Sequence, residues 1–266
     1  MAFGLGTGEV LVMPSDNDRL AGIKLVTVAS GNPALGLPRI HGLYVLFDAA
    51  TLAPLELLDG AALTALRTPA VSALGVDLVA PASAHRLVVF GTGPQAYGHV
   101  LALRAVRPID TVRVVGRDPG RAAAFAGRLR AGGLDAEPAG PDAVARADLV
   151  ACCTTAREPL FPGDLLPAEA VVVAVGSHEP DAREVDTETV RRCGVVVESR
   201  AVAVREAGDV MQAMAENAVT TDDLVTLAEL VTGTARHRPR LVKTVGMGWE
   251  DLVVAAAVVD AVREPA

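Results

Sequence analysis

Residues 86–100 read RLVVFGTGPQAYGHV, and this stretch decides the fold that we expect. An apolar, strand-like run at 87–90 leads into Gly91 and Gly93, and a helical pattern follows. In dinucleotide-binding folds the first glycine makes a tight turn and the second lets the backbone approach a pyrophosphate. A small third residue lets the helix pack on the strand. Gly91, Gly93 and Ala96 match this order, and the strand–turn–helix setting makes the turn a predicted dinucleotide site.

Strand-like and helical segments alternate on both sides of this turn, from about residue 81 to residue 235. The strand candidates are 87–90, 111–115, 149–153, 171–175 and 195–198, and the helix candidates are 95–105, 120–130, 142–147 and 187–193. Such alternation predicts a parallel, doubly wound sheet. We therefore expect an α/β protein with a Rossmann-type domain over residues 81–244.

The N-terminal part has a different pattern. Strand candidates at 23–29, 43–47 and 55–58 precede a helical stretch for which Asp59 is a natural N-cap. A last helix is predicted over 250–263. We expect residues 1–80 to form a smaller α+β domain, with residues 245–266 packing back on it.

Composition excludes several classes of protein. The chain has 266 residues, of which 51% are hydrophobic and 3% aromatic, and its net charge is −8. This balance gives no basic footprint for nucleic acid. We find no metal-ligand spacing and no signal peptide, and we expect the apolar runs to be too short to span a bilayer. Three cysteines without a C-x-x-C spacing are read as buried thiols, so a cytoplasmic protein is expected.

The cofactor is expected to contact Gly91, Thr92, Gly93, Pro94, Gln95 and Ala96. An NAD-specific fold usually has an acidic residue at the end of the second strand. Here Arg117 and Asp118 follow that strand. A guanidinium pairs well with a 2′-phosphate, which favours NADP(H), whereas Asp118 could serve a ribose 2′-hydroxyl and keeps NAD(H) open.

Two cations in apolar surroundings are candidates for substrate binding. Lys24 lies within an apolar strand pattern, and Arg67 lies in a helix of small and apolar residues. Buried cations need a partner, and a substrate carboxylate would serve both. The alternatives are a surface lysine on an edge strand and a structural ion pair of Arg67 with Asp59 or Glu56.

Blocks along nearly the whole chain resemble the ornithine cyclodeaminase/μ-crystallin family. They are KLVT with Gly31-Asn32-Pro33, Leu58-Asp59-Gly60, Thr64-Ala65-Leu66-Arg67-Thr68, the glycine turn, Val175-Gly176-Ser177, Glu184-Val185-Asp186, Gly208-Asp209, Lys243-Thr244-Val245-Gly246 and Glu250-Asp251. The resemblance implies hydride transfer between a nicotinamide and the α-carbon of an amino or imino acid. It also implies a homodimer formed through the N-terminal sheets.

Site residues follow from this resemblance. Lys24 and Arg67 would hold the substrate carboxylate, with a further part for Lys24 in proton transfer, and His41 would help to line the site. The cofactor set would extend to Thr154, Gly176, Ser177, Gly246 and Met247. His178 stands where cyclodeaminases carry a catalytic aspartate. It is expected to pass a proton to the substrate nitrogen, the alternative being a loop histidine without that role. The remaining histidines, His85, His99 and His237, are expected in loops or on helix surfaces.

The family also carries an N-terminal segment with an arginine that contacts the carboxylate, and the present sequence, beginning just before VLVMPSDN, offers no counterpart. The leading hypothesis is an NAD(P)H-dependent reductase of a small imino acid. A cyclodeaminase that uses bound NAD is the first alternative, disfavoured by His178. The second is a non-catalytic protein that binds a small ligand together with the dinucleotide.

Overall fold

The structure is a computed structural model that describes residues 1–263, in two compact units. Within the described residues, unit 1 comprises 1–68 and 246–263, and unit 2 comprises Pro69–Val245. The first boundary lies within the helix Gly60–Val79, whereas the sequence pattern sets it after residue 80. Pro69 has no N–H to donate within that helix. The roles assigned to the two parts of the chain stay predictions.

The helices and strands have the following bounds in chain order. They are β1 (Ala2–Leu5), β2 (Gly8–Asp16), β3 (Leu20–Val28), β4 (Ile40–Asp48), β5 (Pro54–Asp59), α1 (Gly60–Val79), β6 (Arg86–Phe90), α2 (Pro94–Val106), β7 (Thr111–Val115), α3 (Pro119–Ala131), β8 (Asp135–Pro138), β9 (Leu149–Cys152), β10 (Val171–Ala174), α4 (Thr187–Cys193), β11 (Val195–Val197), α5 (Arg200–Glu206), α6 (Gly208–Ala215), β12 (Val225–Thr226), α7 (Leu227–Val231), β13 (Leu241–Lys243) and α8 (Gly248–Arg263).

Unit 1 is built on an antiparallel sheet whose strands β1 to β5 follow one another in space as in the chain. Burial alternates along β3, so that its even-numbered residues face inward. Helix α8 packs on β2 and β3. The core of unit 1 lies between this helix and the sheet. It contains Leu252 and Ala255 of α8 together with Tyr44, Leu46 and Leu63. The sequence prediction of a small α+β domain is therefore confirmed.

Helix α1 combines a long apolar sequence with a buried arginine. The predicted cap is present, because the Asp59 carboxylate accepts the N–H groups of Ala61 and Ala62 at 2.8 and 3.0 Å. By length and composition alone this helix could cross a membrane, which corrects the expectation that every apolar run is too short. Half of that apolar window is buried in the protein, and Arg67 is ion-paired. These contacts are typical of a core helix.

Unit 2 contains a parallel sheet in the order β12-β11-β13-β10-β9-β6-β7-β8 within the described residues. Alternate residues of β6 enter different cores. Leu87 and Val89 pack in a cluster with Phe125, whereas Val88 and Phe90 pack in a second cluster with Val190. A parallel sheet covered on both faces is what near-continuous apolar strands predict. The doubly wound fold is confirmed.

Several elements differ from the sequence pattern. The predicted helix at 142–147 is a 3-10 helix over Pro141–Arg146. Strand β13 is absent from the sequence prediction, which places Lys243 at the start of a loop, and it enters the middle of the sheet between β10 and β11. A strand of three residues is too short to show a pattern of its own.

Candidate functional site

The turn after β6 requires glycine at its first position. Gly91 has φ of +109°, a conformation that residues with a side chain rarely adopt. A Cβ there would stand 2.5 Å from the carbonyl oxygen of Cys153. The Gly91 N–H donates to the carbonyl of Val115 at 2.9 Å. The turn is thus fixed between the ends of β7 and β9, the two neighbours of β6 in the sheet.

The second glycine leaves space in front of α2. Gly93 is the N-cap, no side chain caps the helix, and a Cβ at Gly93 would meet no atom within 4 Å. Pro94 occupies the first helical position, which needs no N–H, and Ala96 is fully buried. Open space at the positive end of a helix suits a phosphate group. Residues 91–96 therefore fit a dinucleotide pyrophosphate.

The end of β7 adds an exposed arginine. A Cβ at Gly116 would stand 3.1 Å from the Thr92 methyl group, so the two turns lie close together. Arg117 is exposed. Asp118 is the N-cap of α3, and its carboxylate accepts the Arg121 N–H at 2.9 Å. One Asp118 oxygen is therefore committed to the helix.

A buried histidine fixes the first turn of α2. His99 Nδ1 lies 2.8 Å from the Gln95 carbonyl oxygen, so this nitrogen carries the proton, and Nε2 accepts from the Ser72 hydroxyl at 2.9 Å. Both side chains are fully buried. Burial lowers the pKa of His99 to about 4, against the opposing effect of the Gln95 carbonyl. The expectation of a surface position for His99 is wrong, because this face of α2 is part of the core.

The loops that follow β9 and β10 are joined by a buried carboxylate. Glu184 is fully buried and accepts the Thr154 N–H and hydroxyl, both at 2.7 Å. It also accepts the Gly176 N–H at 2.6 Å. Burial raises the pKa of Glu184, whereas the charge of Lys243 and the hydrogen bond from Thr154 lower it.

An ion pair continues this network to β13. Asp209 accepts the N–H groups of Glu184 and Val185, and its other oxygen lies 3.0 Å from Lys243 Nζ. Lys243 also donates to the Ser177 carbonyl at 2.6 Å. Ligands of open α/β sheets bind outside the carboxyl ends of the strands. The network therefore braces the edge of the sheet at which a ligand is expected.

Several of the predicted site residues lie along this edge. The Ser177 side chain is buried and its hydroxyl donates to the Ala182 carbonyl, so it holds the loop rather than facing outward. His178 follows it and is half-buried. Thr154 and Gly176 are both bound to Glu184. Unit 2 thus brings Thr154, Gly176, Ser177 and His178 together on adjoining loops.

The two candidate cations meet in unit 1. Lys24 is 1% exposed on β3, which is an inner strand, so the alternative of an edge-strand surface lysine is wrong. Lys24 Nζ lies 2.6 Å from Asp251 Oδ2. Arg67 Nε lies 3.2 Å from Asp251 Oδ1, and an Arg67 terminal nitrogen lies 2.7 Å from Glu250. The carboxylates of α8 therefore join the two cations.

Arg67 does form a structural ion pair, as one alternative predicts, but its partners are not Asp59 or Glu56. Asp59 caps α1, and Glu56 pairs with Arg263 at 2.5 Å. Asp251 and Glu250 are 184 and 183 residues from Arg67 in the chain, a distance across which no sequence pattern connects them. The sequence marked Glu250 and Asp251 as a family block in the first turn of the last helix, but it did not indicate that they pair with Arg67.

Lys24 has unusual electrostatics for a lysine. Burial and the positive charge of Arg67 lower its pKa to about 8, although Asp251 raises it. Tyr44, its register partner on β4, is fully buried, and its pKa is raised by burial and by the Asp251 charge. The lysine is thus held near the midpoint of its titration at mildly alkaline pH.

The remaining predicted residues lie in unit 1 as well. Gly246 has φ of +91°, and a Cβ there would stand 2.6 Å from the Arg67 guanidinium. The Met247 N–H donates to Glu250 at 3.2 Å. These two residues therefore lie beside the cations. His41 is exposed and odd-numbered on β4, on the sheet face opposite Tyr44, and the structure does not bring it together with Lys24.

Comparison with known proteins identifies relatives that are described as reductases. A Delta(1)-pyrroline-2-carboxylate reductase of Burkholderia ambifaria is 38% identical over 258 residues, covering 96% of this chain and 81% of the relative. The ketimine reductase mu-crystallin of Mus musculus is 33% identical over 240 residues, covering 89% and 74%.

A solved structure is similar across nearly the whole chain. It is the Delta(1)-pyrroline-2-carboxylate reductase of Thermococcus litoralis in complex with NADH and L-proline, with a TM-score of 0.92 and 29% identity. The match covers 98% of this chain and 84% of that chain. The family model for the ornithine cyclodeaminase/mu-crystallin family matches residues 2–265. The chain therefore belongs to the ornithine cyclodeaminase/mu-crystallin family.

Proposed function

We propose that the protein is an NAD(P)H-dependent oxidoreductase that reduces the C=N bond of a small imino acid, such as pyrroline- or piperideine-2-carboxylate. The observation that carries this proposal is the buried pair of cations, Lys24 and Arg67, joined by Asp251. Relatives that are 38% and 33% identical are described as reductases of pyrroline-2-carboxylate and of ketimines. A structurally similar reductase was solved with NADH and L-proline.

Each set of residues has a distinct part in the proposed reaction. Lys24 and Arg67 bind and orient the substrate carboxylate, since positioning the substrate removes much of the entropic cost of the reaction. Residues 91–96 hold the pyrophosphate of the cofactor. When bound, the reduced nicotinamide supplies a hydride to the imine carbon. His178 passes the proton that the substrate nitrogen takes up, a role suited to an imidazole ring, which can both accept and donate a proton.

Among the two cofactors we propose that NADP(H) is preferred. Arg117 is exposed at the end of β7 and can pair with a 2′-phosphate. Asp118 is less suited to a ribose hydroxyl, because one of its oxygens accepts the Arg121 N–H.

We also propose a homodimer formed through the outer face of the unit 1 sheet. Leu25, Ile40, Leu43 and Leu57 are between 38% and 66% exposed and lie around one groove. Contiguous exposed apolar side chains mark protein contacts. A second copy of the chain is the occupant because a sheet face can meet its own copy about a two-fold axis. A cytoplasmic location is proposed as well, since Cys152, Cys153 and Cys193 are free thiols.

The direct experiment measures oxidation of NADPH and of NADH by the purified chain with pyrroline-2-carboxylate and piperideine-2-carboxylate. We expect consumption of the reduced cofactor with formation of the cyclic amino acid. Release of ammonia from ornithine or lysine without net cofactor turnover would instead identify a cyclodeaminase. Dinucleotide binding with neither activity would identify a ligand-binding protein.

A further inference from the structure

Asp251 connects the two cations, which lie on different elements. It is fully buried in the first turn of α8. One carboxylate oxygen lies 2.6 Å from Lys24 Nζ on β3, and the other lies 3.2 Å from Arg67 Nε on α1. Glu250 pairs with Arg67 at 2.7 Å, and its charge favours the protonated Lys24 less strongly than the charge of Asp251 does. Asp251 is therefore a carboxylate that contacts both cations.

The surroundings of Lys24 show why this carboxylate matters. Arg67 and Thr64 face Lys24 from α1, Asp251 and Glu250 face it from α8, and Tyr44 lies beside it on β4. The β2 residue in register is the uncharged Met13. Burial and Arg67 both disfavour the protonated lysine, and Asp251 is the largest influence that favours it.

We propose that Asp251 is a positioning residue, which keeps Lys24 protonated and directs Lys24 and Arg67 toward the substrate carboxylate. The inference rests on the proposed function, in which these cations bind that carboxylate. Asp251 does not touch the reacting atoms in this account. It acts through the two cations that do bind the substrate.

The consequence is a pH dependence with a defined sign. Lys24 carries its charge below its pKa of about 8 and loses it as the pH rises through that value. Carboxylate binding should weaken in the same interval. Replacing Asp251 with asparagine removes the negative charge and keeps the side-chain shape. The pKa of Lys24 should then fall further, and the loss of binding should begin at a lower pH.

The test is the pH profile of kcat/KM for the imino acid in the wild-type protein and in Asp251→Asn. We expect the alkaline limb to move at least one pH unit downward, and KM at pH 8 to rise at least tenfold. The dissociation constant for NADPH should stay within about twofold. Glu250→Gln is the matched control, since Glu250 pairs with Arg67 and has a smaller influence on Lys24 than Asp251 has, and its limb should move less than that of Asp251→Asn. Lys24→Met should abolish the alkaline limb of the kcat/KM profile.

The possible results distinguish failure of the proposed function from failure of this inference. An inactive wild-type protein would remove the proposed function and this inference with it. An active protein whose Asp251→Asn limb coincides with the wild-type limb, or moves no more than that of Glu250→Gln, would overturn the inference alone. If Asp251→Asn fails to fold, Asp251→Glu retains the charge on a longer stem. Its limb should then stay in place while KM rises at least threefold, and an unchanged KM would refute the inference.

Discussion

At the scale of single residues, the two glycines of the turn have different roles. Gly91 is required by its backbone conformation and by contact with Cys153, whereas the space around Gly93 is open toward solvent. Sequence alone placed both in one motif. The structure separates a glycine that the fold needs from a glycine that the ligand needs.

This difference predicts opposite results for the two alanine variants. Gly91→Ala should lower the free energy of unfolding by about 2 kcal/mol or more, because it combines an unfavourable φ with a steric clash. Gly93→Ala should leave that free energy within about 0.5 kcal/mol, yet weaken dinucleotide binding roughly tenfold, since its methyl group occupies the pyrophosphate space. Urea denaturation and fluorescence titration with NADPH measure the two effects.

The control is Gly127→Ala in α3, where the nearest neighbour of a new Cβ is 3.8 Å away. It should be neutral or stabilising and should bind NADPH as the wild type does. Unimpaired binding by Gly93→Ala would contradict the assignment of the turn to the pyrophosphate.

Arg117 carries the prediction about cofactor choice. Arg117→Ser should weaken NADPH binding about tenfold, because it removes the cation proposed for the 2′-phosphate, and should change NADH binding less than twofold. Titration with both cofactors is the measurement. Arg104→Ser, at a basic residue of the last turn of α2, is the control for a general loss of positive charge. Equal losses for the two cofactors would refute the preference.

At the scale of elements, Asp148 secures the start of β6. Its carboxylate accepts the N–H groups of His85 and Arg86 at 3.0 and 2.9 Å and the Arg86 guanidinium at 2.6 Å. Burial raises the pKa of Asp148, but these hydrogen bonds prevail and bring it to about 2. Since the folded pKa lies below the usual 3.8, the stabilisation is present above about pH 4 and is lost as the pH falls through 2.

Asp148→Asn should therefore lower the free energy of unfolding at pH 7 by about 1–2 kcal/mol and flatten its decline between pH 4 and 2. Denaturation in urea across this pH range measures both. Asp135→Asn is the control, because Asp135 pairs with Arg113 while 60% exposed and should change stability little. An equal effect of the two variants would show that Asp148 does not secure the strand.

Local patterns account for much of the fold and for less of the site. The alternation of apolar runs around Gly91 predicts the doubly wound sheet, and Asp59 predicts the start of α1. The insertion of β13 and the pairing of Arg67 with Asp251 could not be predicted, because each joins segments far apart in the chain. Lys243, Asp209 and Glu184 were recognisable as parts of family blocks, but only folding brings them into one network.

At the scale of the whole molecule, the exposed leucines of unit 1 predict self-association. Light scattering after gel filtration should give twice the mass of one chain. Leu57→Glu should shift the protein toward the monomer, because Leu57 is 66% exposed on the outer face and a charge there is costly to bury. Leu101→Glu on α2 is the control, with a leucine that is 47% exposed elsewhere. A wild-type protein of single-chain mass at micromolar concentration would contradict the dimer.

The central claim is that the protein transfers hydride to the α-carbon of an imino acid, and isotope transfer tests it most directly. The purified chain is incubated with pyrroline-2-carboxylate and NADPH or NADH carrying deuterium at the transferable position of the nicotinamide, and the product is examined by mass spectrometry and NMR. The account predicts proline with one deuterium at its α-carbon, and loss of that product in Lys24→Met. Proline without deuterium, or no proline with either cofactor, would contradict it.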